Sequence, residues 1–384
     1  MINYGRQFID QKDINEVTKV LKSSFLTQGT KVEQFEKKLL SKFNAKYCTV
    51  ASSGTAALHL LGSALEWKKG DIILTTPISF LATSNCILYS NAKPVFVDIE
   101  KNSYTVDVNL LEKKIIQLKK KKNKIKAIIC TDFAGHPCDW KSLKRISKKY
   151  KIVLINDNCH AFGASIDGST NYALKYADYI SLSFHAVKHI TTGEGGAILS
   201  NNKLTDSKIK ILRSHGVVRK KANAPWFYEM KYLGYNYRLT DFQSVLGISQ
   251  LRKLPKFISR RKKIAKIYDE QFYNIKNVFI PKIKKGMGHA YHLYPLCINF
   301  SKFKISKEIF FKKLKKLKIN LQVHYIPIHL QPFYKKKFKT KTGDFPISEK
   351  FYKEEVSLPI FYNLSNKNVL KVIKFIKKIL KIND

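Results

Sequence analysis

The sequence predicts an α/β protein built on a parallel sheet, with a smaller α+β domain behind it. Helical and strand-like patterns alternate through the first half of the chain, and the strand-like segments are almost continuously apolar. Apolar strands that alternate with helices are typical of parallel sheets covered on both faces. Small, hydroxyl or charged residues follow directly where several of these strands end. With 384 residues, the chain is long enough for two domains.

The predicted elements of the first half follow a regular order. Apolar residues at helical spacing predict helices over residues 13–21, 32–43, 82–90, 108–118 and 139–150, and a further helix that opens at residue 54. Apolar and β-branched runs predict strands over residues 47–51, 72–75, 94–99, 125–133, 152–157 and 196–199.

The second half differs in composition. From about Leu251 the chain becomes richer in lysine, with long helical patterns over residues 260–272, 309–317 and 369–380. We therefore predict a large domain over residues 1–250, which includes an N-terminal arm, and a small C-terminal domain over 251–384. Because no Gly/Ser-rich linker separates them, we expect the two domains to pack closely.

The net charge of +43 at first suggests a nucleic-acid-binding protein. However, only 8 of the 71 basic residues are arginine, the residue that forms bidentate contacts with bases and phosphates. The lysines are also spread along the whole chain rather than concentrated in one segment. We therefore expect no nucleic-acid partner, although the charge can attract an anionic substrate.

The remaining composition predicts a soluble, cytoplasmic protein with reduced cysteines. No apolar run approaches the roughly 18 residues of a membrane span, and the N-terminus lacks the pattern of a signal peptide. The six cysteines form no CxxC pair and no metal-ligand spacing, so neither disulfides nor a metal site is expected.

Two strand ends carry candidate anion- and cation-binding groups. Ser52, Ser53, Gly54 and Thr55 lie between a strand and a helix start, where backbone N–H groups suit a phosphate. An ordinary helix cap would have the same sequence. Asp157 ends a buried strand and needs a partner, because an unpaired buried charge is costly. A protonated pyridine nitrogen, a helix N-terminus or a metal ion could each serve.

A third candidate is Lys188, which lies between apolar or small residues and a glycine-rich segment. Desolvation would lower the pKa of this amine, and a neutral lysine can form a Schiff base. With 63 lysines in the chain, a solvated surface charge is the ordinary interpretation of any one of them.

Taken together, these segments resemble the DegT/DnrJ/EryC1/StrS sugar aminotransferases. The hydroxyl-rich turn, the strand-end Asp and the Ser-Phe-His-Ala-Val-Lys run come in the family's order, and the resemblance runs nearly from end to end. The most specific segments are Leu-Thr-Gln-Gly at 26–29, Phe-Ala-Gly-His-Pro-Cys-Asp at 133–139, Lys-His-Ile-Thr-Thr-Gly-Glu-Gly-Gly at 188–196, Gly-Tyr-Asn-Tyr-Arg-Leu-Thr-Asp at 234–241 and Gln-Val-His-Tyr-Ile-Pro at 322–327.

The resemblance implies the pyridoxal 5′-phosphate (PLP) transferase fold of type I, the aspartate aminotransferase type, with a mostly parallel seven-stranded sheet. Within the family, the segments are most similar to those of enzymes that aminate C4 of a UDP-linked 4-keto-6-deoxy-N-acetyl sugar on the route to pseudaminic acid. The implied amino donor is L-glutamate, and the implied assembly is a homodimer.

The resemblance also implies a role for individual residues. Lys188 would hold PLP through a Schiff base and move the proton during transfer, while Asp157 would pair with the pyridine nitrogen. The other implied cofactor-binding residues are Gly54, Thr55 and Ser183 at the phosphate, Asn236 reaching it from the neighbouring subunit, Phe80 on the ring and His160 near the phenolic oxygen. The implied substrate-binding residues are Tyr4, Ser24, Phe25, Leu26, Thr27, His324 and Tyr325.

Some features leave alternatives open. The family often has an acidic residue before the strand-end Asp and small residues after it, whereas this chain has Asn156, Asn158 and Cys159. The nucleotide sugar could instead belong to a bacillosamine or legionaminic acid route. A PLP-dependent sugar dehydratase is disfavoured because a histidine would replace Lys188, and a basic binding protein is disfavoured because the three strand-end motifs are intact.

Overall fold

The computed structural model describes residues 1–219 and 224–382. Its helices are α1 Gln11–Leu21, α2 Thr30–Phe43, α3 Gly54–Ala64, α4 Leu81–Tyr89, α5 Val108–Lys120, α6 Trp140–Tyr150, α7 Ala173–Tyr176, α8 Lys203–Arg213, α9 Asp241–Phe272, α10 Lys307–Lys316, α11 Pro332–Phe338, α12 Pro346–Glu354 and α13 Asn366–Leu380. Its strands are β1 Tyr47–Ala51, β2 Asp71–Thr75, β3 Lys93–Phe96, β4 Lys124–Thr131, β5 Val153–Asp157, β6 Ser165–Ile166, β7 Tyr179–Ser183, β8 Gly196–Ser200, β9 Val217–Val218, β10 Glu229–Met230, β11 Val278–Phe279, β12 Met287–Gly288, β13 Tyr294–Ile298 and β14 Glu355–Leu358.

Seven strands form the central sheet, in the order β1-β8-β7-β5-β4-β2-β3. The pairs β2–β3, β2–β4, β4–β5 and β5–β7 are parallel, whereas β8 runs antiparallel to both of its neighbours. Strands such as β2 are buried along their entire length, as expected for a sheet with helices on both faces. The predicted α/β fold with a mostly parallel seven-stranded sheet is therefore confirmed.

The carboxyl ends of the parallel strands meet at one edge of this sheet. Strand β8 runs in the opposite direction, so the loop between β7 and β8 (residues 184–195) also lies at that edge. Hydrogen bonds between loop residues close it, from Phe184 N to the Gly195 carbonyl (2.7 Å) and from Thr192 N to the Phe184 carbonyl (3.0 Å). The edge is where open α/β sheets bind ligands.

A second hydrophobic core lies around the three-stranded antiparallel sheet β11-β13-β14. Helices α10 and α13 contribute Phe310, Leu314, Val372 and Ile376 to it. Ile2 also joins this core, because the N-terminus pairs with the segment around Ile319.

Helix α9 connects the two cores. Leu254 and Ile258 pack in the core of the large sheet, whereas Tyr268 and Phe272 pack in the second core. The predicted division between residues 250 and 251 thus lies inside one continuous helix. That helix begins at Asp241, well before the predicted residue 260, and the division into domains stays a prediction.

Other element boundaries shift by a few residues. The strand predicted over 94–99 ends at Phe96, and the one predicted over 125–133 ends at Thr131. All six cysteines are free thiols. Within residues 1–219 and 224–382, no helix has the length and apolar character to cross a membrane. In the same ranges, no group of His, Cys, Asp and Glu side chains is arranged to hold a metal ion.

Candidate active site

Strand β1 ends in a turn that leads directly into helix α3. The Ser53 side chain caps the helix by accepting a hydrogen bond from Ala56 N (3.0 Å), which satisfies one of the free N–H groups of the first turn. The backbone N–H groups of Gly54 and Thr55 have no hydrogen-bond partner in the described chain. A Cβ at position 54 would lie 2.9 Å from Ser183 Cβ, so only glycine lets the turn approach β7 this closely. Gly54, Thr55 and Ser183 therefore surround a position suited to an anion.

Asp157 ends β5 and is buried. Its Oδ2 atom accepts hydrogen bonds from Thr83 Oγ1 (2.7 Å) and Thr131 Oγ1 (3.4 Å), and its Oδ1 atom accepts one from Cys159 N (3.2 Å). Neutral donors hold this carboxylate, and no cation forms an ion pair with it within the described residues. A buried carboxylate of this kind can accept a protonated ring nitrogen as its charged partner.

Lys188 lies in the loop between β7 and β8, and its side chain is half-buried. Burial lowers the pKa of the amine, and the nearby Cys159 and Asp157 partly oppose this shift. In the described parts of the chain, Nζ makes no hydrogen bond or ion pair with a protein group. The lowered pKa makes it easier to deprotonate the amine, which a Schiff base requires.

Aromatic and histidine side chains form one wall of the site. The Tyr325 hydroxyl lies 3.2 Å from His160 Nε2, and its ring lies 5.9 Å from that of Phe80. His324 lies 5.2 Å from the Tyr4 ring, measured between centroids. Burial, then the Lys188 charge, lowers the pKa of His160 far below its usual value and that of His324 to about 3. Both imidazoles are therefore neutral near pH 7.

The structure places the remaining predicted residues on the surface. Asn236 is exposed and forms an isolated bridge with Ser214. The segment 24–27 is exposed as well, and Leu26 accepts a hydrogen bond from Asp241 N at the start of α9. Among the hydrogen bonds of the described residues, none joins Asn236 or this segment to Lys188 or Asp157.

Several residues of the site are not indicated by the sequence pattern. Thr83 on α4 and Thr131 at the end of β4 hold Asp157, and Thr131 is its neighbour in the sheet. The position of Thr131 at a strand end is a sequence signal for a role in the site. Thr83 is a single threonine within a helix, and no sequence pattern marks it. The asparagines that depart from the family pattern also have partners, since Asn156 and Asn158 both donate to the buried Asp132 (3.1 and 3.0 Å).

These groups fit PLP. A phosphate would find the free N–H groups of Gly54 and Thr55, a pyridinium nitrogen would find Asp157, and an aldehyde would find the amine of Lys188. His160 Nδ1 is a buried polar atom without a partner in the described chain, so it is available to an oxygen on the ring.

Comparison with known proteins agrees with this chemistry. The model of the DegT/DnrJ/EryC1/StrS aminotransferase family matches residues 7–377. A UDP-4-amino-4,6-dideoxy-N-acetyl-beta-L-altrosamine transaminase of Campylobacter jejuni (strain 81-176) is 41% identical over 98% of this chain and 96% of its own. Helicobacter pylori PseC, described as an aminotransferase involved in the biosynthesis of pseudoaminic acid, superimposes with a TM-score of 0.90, 33% identity and 99% coverage of both chains.

The PLP form of a putative sugar aminotransferase, Spr1654 from Streptococcus pneumoniae, superimposes with a TM-score of 0.89, 28% identity and full coverage of both chains. The predictions of an aminotransferase and of PLP as its cofactor are confirmed. The chain belongs to the DegT/DnrJ/EryC1/StrS aminotransferase family.

Proposed function

We propose that this protein transfers the amino group of L-glutamate to C4 of a UDP-linked 4-keto-6-deoxy-N-acetylhexosamine, as a step towards pseudaminic acid. The observation that carries the proposal is the meeting of Lys188, Asp157 and the Gly54–Thr55 turn at one edge of the sheet, beside the wall of Tyr4, His324 and Tyr325. The names of the Campylobacter and Helicobacter relatives support the choice of sugar. We also propose the cytoplasm as the site of the reaction.

In this reaction Lys188 would have two tasks, and the other residues of the site would each have one. PLP, when bound, supplies an electron sink for the negative charge that develops at the substrate carbon. Lys188 Nζ would hold the cofactor covalently and then move the proton at that carbon, a role that the lowered pKa of its amine favours. Asp157 would keep the ring nitrogen protonated, while Thr83 and Cys159 N hold the carboxylate in place. Gly54, Thr55 and Ser183 would bind the phosphate, Phe80 would pack on the ring, and His160 would contact the phenolic oxygen.

A panel of 4-keto sugars tests the proposed substrate. The protein is incubated with PLP, L-glutamate and UDP-, GDP- or dTDP-linked 4-keto-6-deoxy sugars, with and without an N-acetyl group. We expect amino-sugar product with the UDP-linked N-acetyl sugar, and a kcat/KM for it at least about fivefold above the others, since each lost pocket contact costs roughly 1 kcal/mol. Preference for another nucleotide or another keto sugar would contradict the proposed substrate and leave the aminotransferase assignment intact.

We further propose a homodimer whose active sites are shared between subunits. Large apolar side chains are exposed in the segment that precedes Asn236 in the sequence, and exposed apolar surface often forms interfaces. The exposed side chains are those of Trp226 (78% exposed), Met230 (66%) and Leu233 (82%). Within one chain, however, Ser52 N donates to the Tyr237 carbonyl (2.8 Å), so Asn236 also lies near its own Gly54 turn. Action within one chain is therefore the alternative.

Mixing two inactive variants distinguishes these possibilities. If Asn236 completes the partner's phosphate site, a dimer of Lys188→Ala and Asn236→Ala subunits has one site with both defects and one with none. Activity should then rise towards half the wild-type value per mixed dimer, because subunits of a twofold dimer exchange equivalent residues. The activity of Asn236→Ala alone must first be shown to be reduced. We expect a loss of roughly tenfold or more, because the variant lacks a hydrogen bond to a charged phosphate.

The matched control pairs Lys188→Ala with the double variant Lys188→Ala/Asn236→Ala. No dimer of this pair has an intact lysine, so mixing should restore nothing. If subunit exchange is verified and the first pair also remains inactive, Asn236 does not act across the interface. A monomer at micromolar concentration would contradict the shared site directly.

A further inference from the structure

Strand β14 carries two polar residues although all four of its side chains are buried. Side chains alternate between the faces of a strand. Val356 and Leu358 pack into the second hydrophobic core. Glu355 and Ser357 therefore lie on the other face, where they contact His324. Burial of a carboxylate costs free energy unless hydrogen-bond donors reach its oxygens. The groups that donate to Glu355 therefore indicate its role.

A chain of hydrogen bonds joins Glu355 to the imidazole of His324. Ser357 Oγ donates to Glu355 Oε1 at 2.5 Å, and His324 Nδ1 lies 2.8 Å from Ser357 Oγ. The backbone N–H of His324 donates to Glu355 Oε2 at 3.0 Å. The carboxyl group thus contacts His324 twice, once through its backbone and once through Ser357.

The donors and acceptors in this series of hydrogen bonds determine the tautomer of His324. An ionised carboxylate only accepts hydrogen bonds, and a serine hydroxyl has a single proton. Ser357 uses that proton for Glu355, so its oxygen must accept a hydrogen bond from His324 Nδ1–H. Because burial keeps this imidazole neutral, its second nitrogen, Nε2, carries a lone pair and no proton.

Because Nδ1 faces Ser357 and the two ring nitrogens point outward in widely divergent directions, the unprotonated Nε2 does not face Ser357. It has no hydrogen-bond partner in the described residues. The ring packs against Tyr4 and Tyr325, with centroids 5.2 and 4.9 Å away. Both tyrosines belong to the proposed sugar pocket. His324 also lies close enough to Lys188 for the lysine charge to lower the pKa of the imidazole.

We infer that Glu355 and Ser357 are positioning residues that hold His324 as the Nδ1–H tautomer, so that Nε2 accepts a hydrogen bond from a donor group of the bound sugar. The identity of the bound group rests on the proposed function, whereas the tautomer does not. A sugar without a donor at this position would leave a desolvated Nε2 unpaired, so the pair also contributes to substrate selection.

The ionisation of Glu355 sets the conditions of the test. Burial raises the pKa of this carboxyl to about 7, and the positive charge of Lys307 on α10 partly opposes the shift. The other titratable groups that interact with it electrostatically are Cys297 on β13, Tyr104 and Tyr325. At about pH 8.5 the carboxyl is ionised, as the proton count requires.

The tautomer is measured by ¹⁵N NMR of the imidazole groups in the PLP-bound enzyme at about pH 8.5, without substrate. Protonated and lone-pair ring nitrogens have separate resonances, and the His324 pair is identified by its loss in His324→Gln. We expect the Nδ1–H form in the wild type. In Ser357→Ala the Nε2–H form should appear, whereas Ser357→Thr, which retains the hydroxyl, should keep the wild-type form.

Kinetics with the sugar that the substrate panel identifies test the contact itself. In Ser357→Ala we expect KM for the sugar to rise roughly tenfold, the effect of one lost hydrogen bond, with KM for glutamate unchanged and Ser357→Thr close to wild type. A wild-type Nε2–H signal, or an Nδ1–H signal that persists in Ser357→Ala, would overturn the inference. An unchanged sugar KM despite an altered tautomer would overturn the acceptor role. If no sugar of the panel reacts, the proposed function fails, while the NMR result still decides the tautomer.

Discussion

Lys188→Ala should lose at least about a thousandfold in kcat while the protein remains folded and still binds pyridoxamine phosphate. The variant lacks both the amine that attaches the cofactor and the group that moves the proton at the substrate carbon. Positioned acid–base catalysis alone contributes roughly 10²–10⁴. The measurement is the rate of amino-sugar formation from glutamate, together with the cofactor absorbance, whose band from covalently bound PLP should disappear.

The matched control for this variant is Lys203→Ala, which removes an exposed lysine at the start of α8. Since 63 lysines are present in the chain, an unspecific effect of losing one positive charge must be excluded. Lys203→Ala should keep wild-type activity and absorbance. Turnover of Lys188→Ala at a wild-type rate would show that another amine performs the reaction.

Asp157→Asn should retain PLP but lose activity on the order of a hundredfold. The neutral amide cannot keep the ring nitrogen protonated, so the cofactor becomes a weaker electron sink. A charge-assisted hydrogen bond contributes roughly 1.5–3 kcal/mol, and each 1.36 kcal/mol of barrier corresponds to a factor of about ten in rate. Single-turnover kinetics with glutamate measure this step apart from sugar binding.

Two further variants separate the charge of Asp157 from its position. Thr83→Val removes the 2.7 Å hydrogen bond to Oδ2 but keeps the carboxylate, and we expect it to lose less activity than Asp157→Asn. Asp167→Asn changes an exposed aspartate paired with Lys141 and should have no effect. Near wild-type activity of Asp157→Asn would mean that another residue pairs with the ring nitrogen.

The sequence was sufficient to predict six of the seven strands of the central sheet and the three strand-end motifs, because both depend on local patterns. No strand range was predicted at β7 (Tyr179–Ser183), and the total of seven strands was implied by the family resemblance. Continuous apolar runs mark buried parallel strands, and residues that follow such strands are brought to one edge by the topology alone. The loop that carries Lys188 reaches that edge because β8 runs antiparallel to β7. Lys188 itself could not be distinguished from the other lysines by composition, and the family's motif was needed to identify it.

The parts that the sequence did not predict depend on contacts between distant segments. Helix α9 begins at Asp241 and includes Pro255, a residue that normally disfavours a helix interior. Two hydrophobic cores stabilise this helix along its length, and neither core can be recognised from the local pattern. Thr83 likewise gains its role from a residue 74 positions away, and Glu355 from one 31 positions away.

The position of the covalent bond to PLP tests the central assignment most directly. Reduction of the PLP-bound enzyme with borohydride converts the Schiff base into a stable secondary amine, which peptide mass spectrometry can locate among the 63 lysines. We expect the phosphopyridoxyl group on Lys188 alone, and none after glutamate has first converted the cofactor to its amine form. A modification on a different lysine, or a Lys188 peptide that remains unmodified while the enzyme is active, would contradict the assignment.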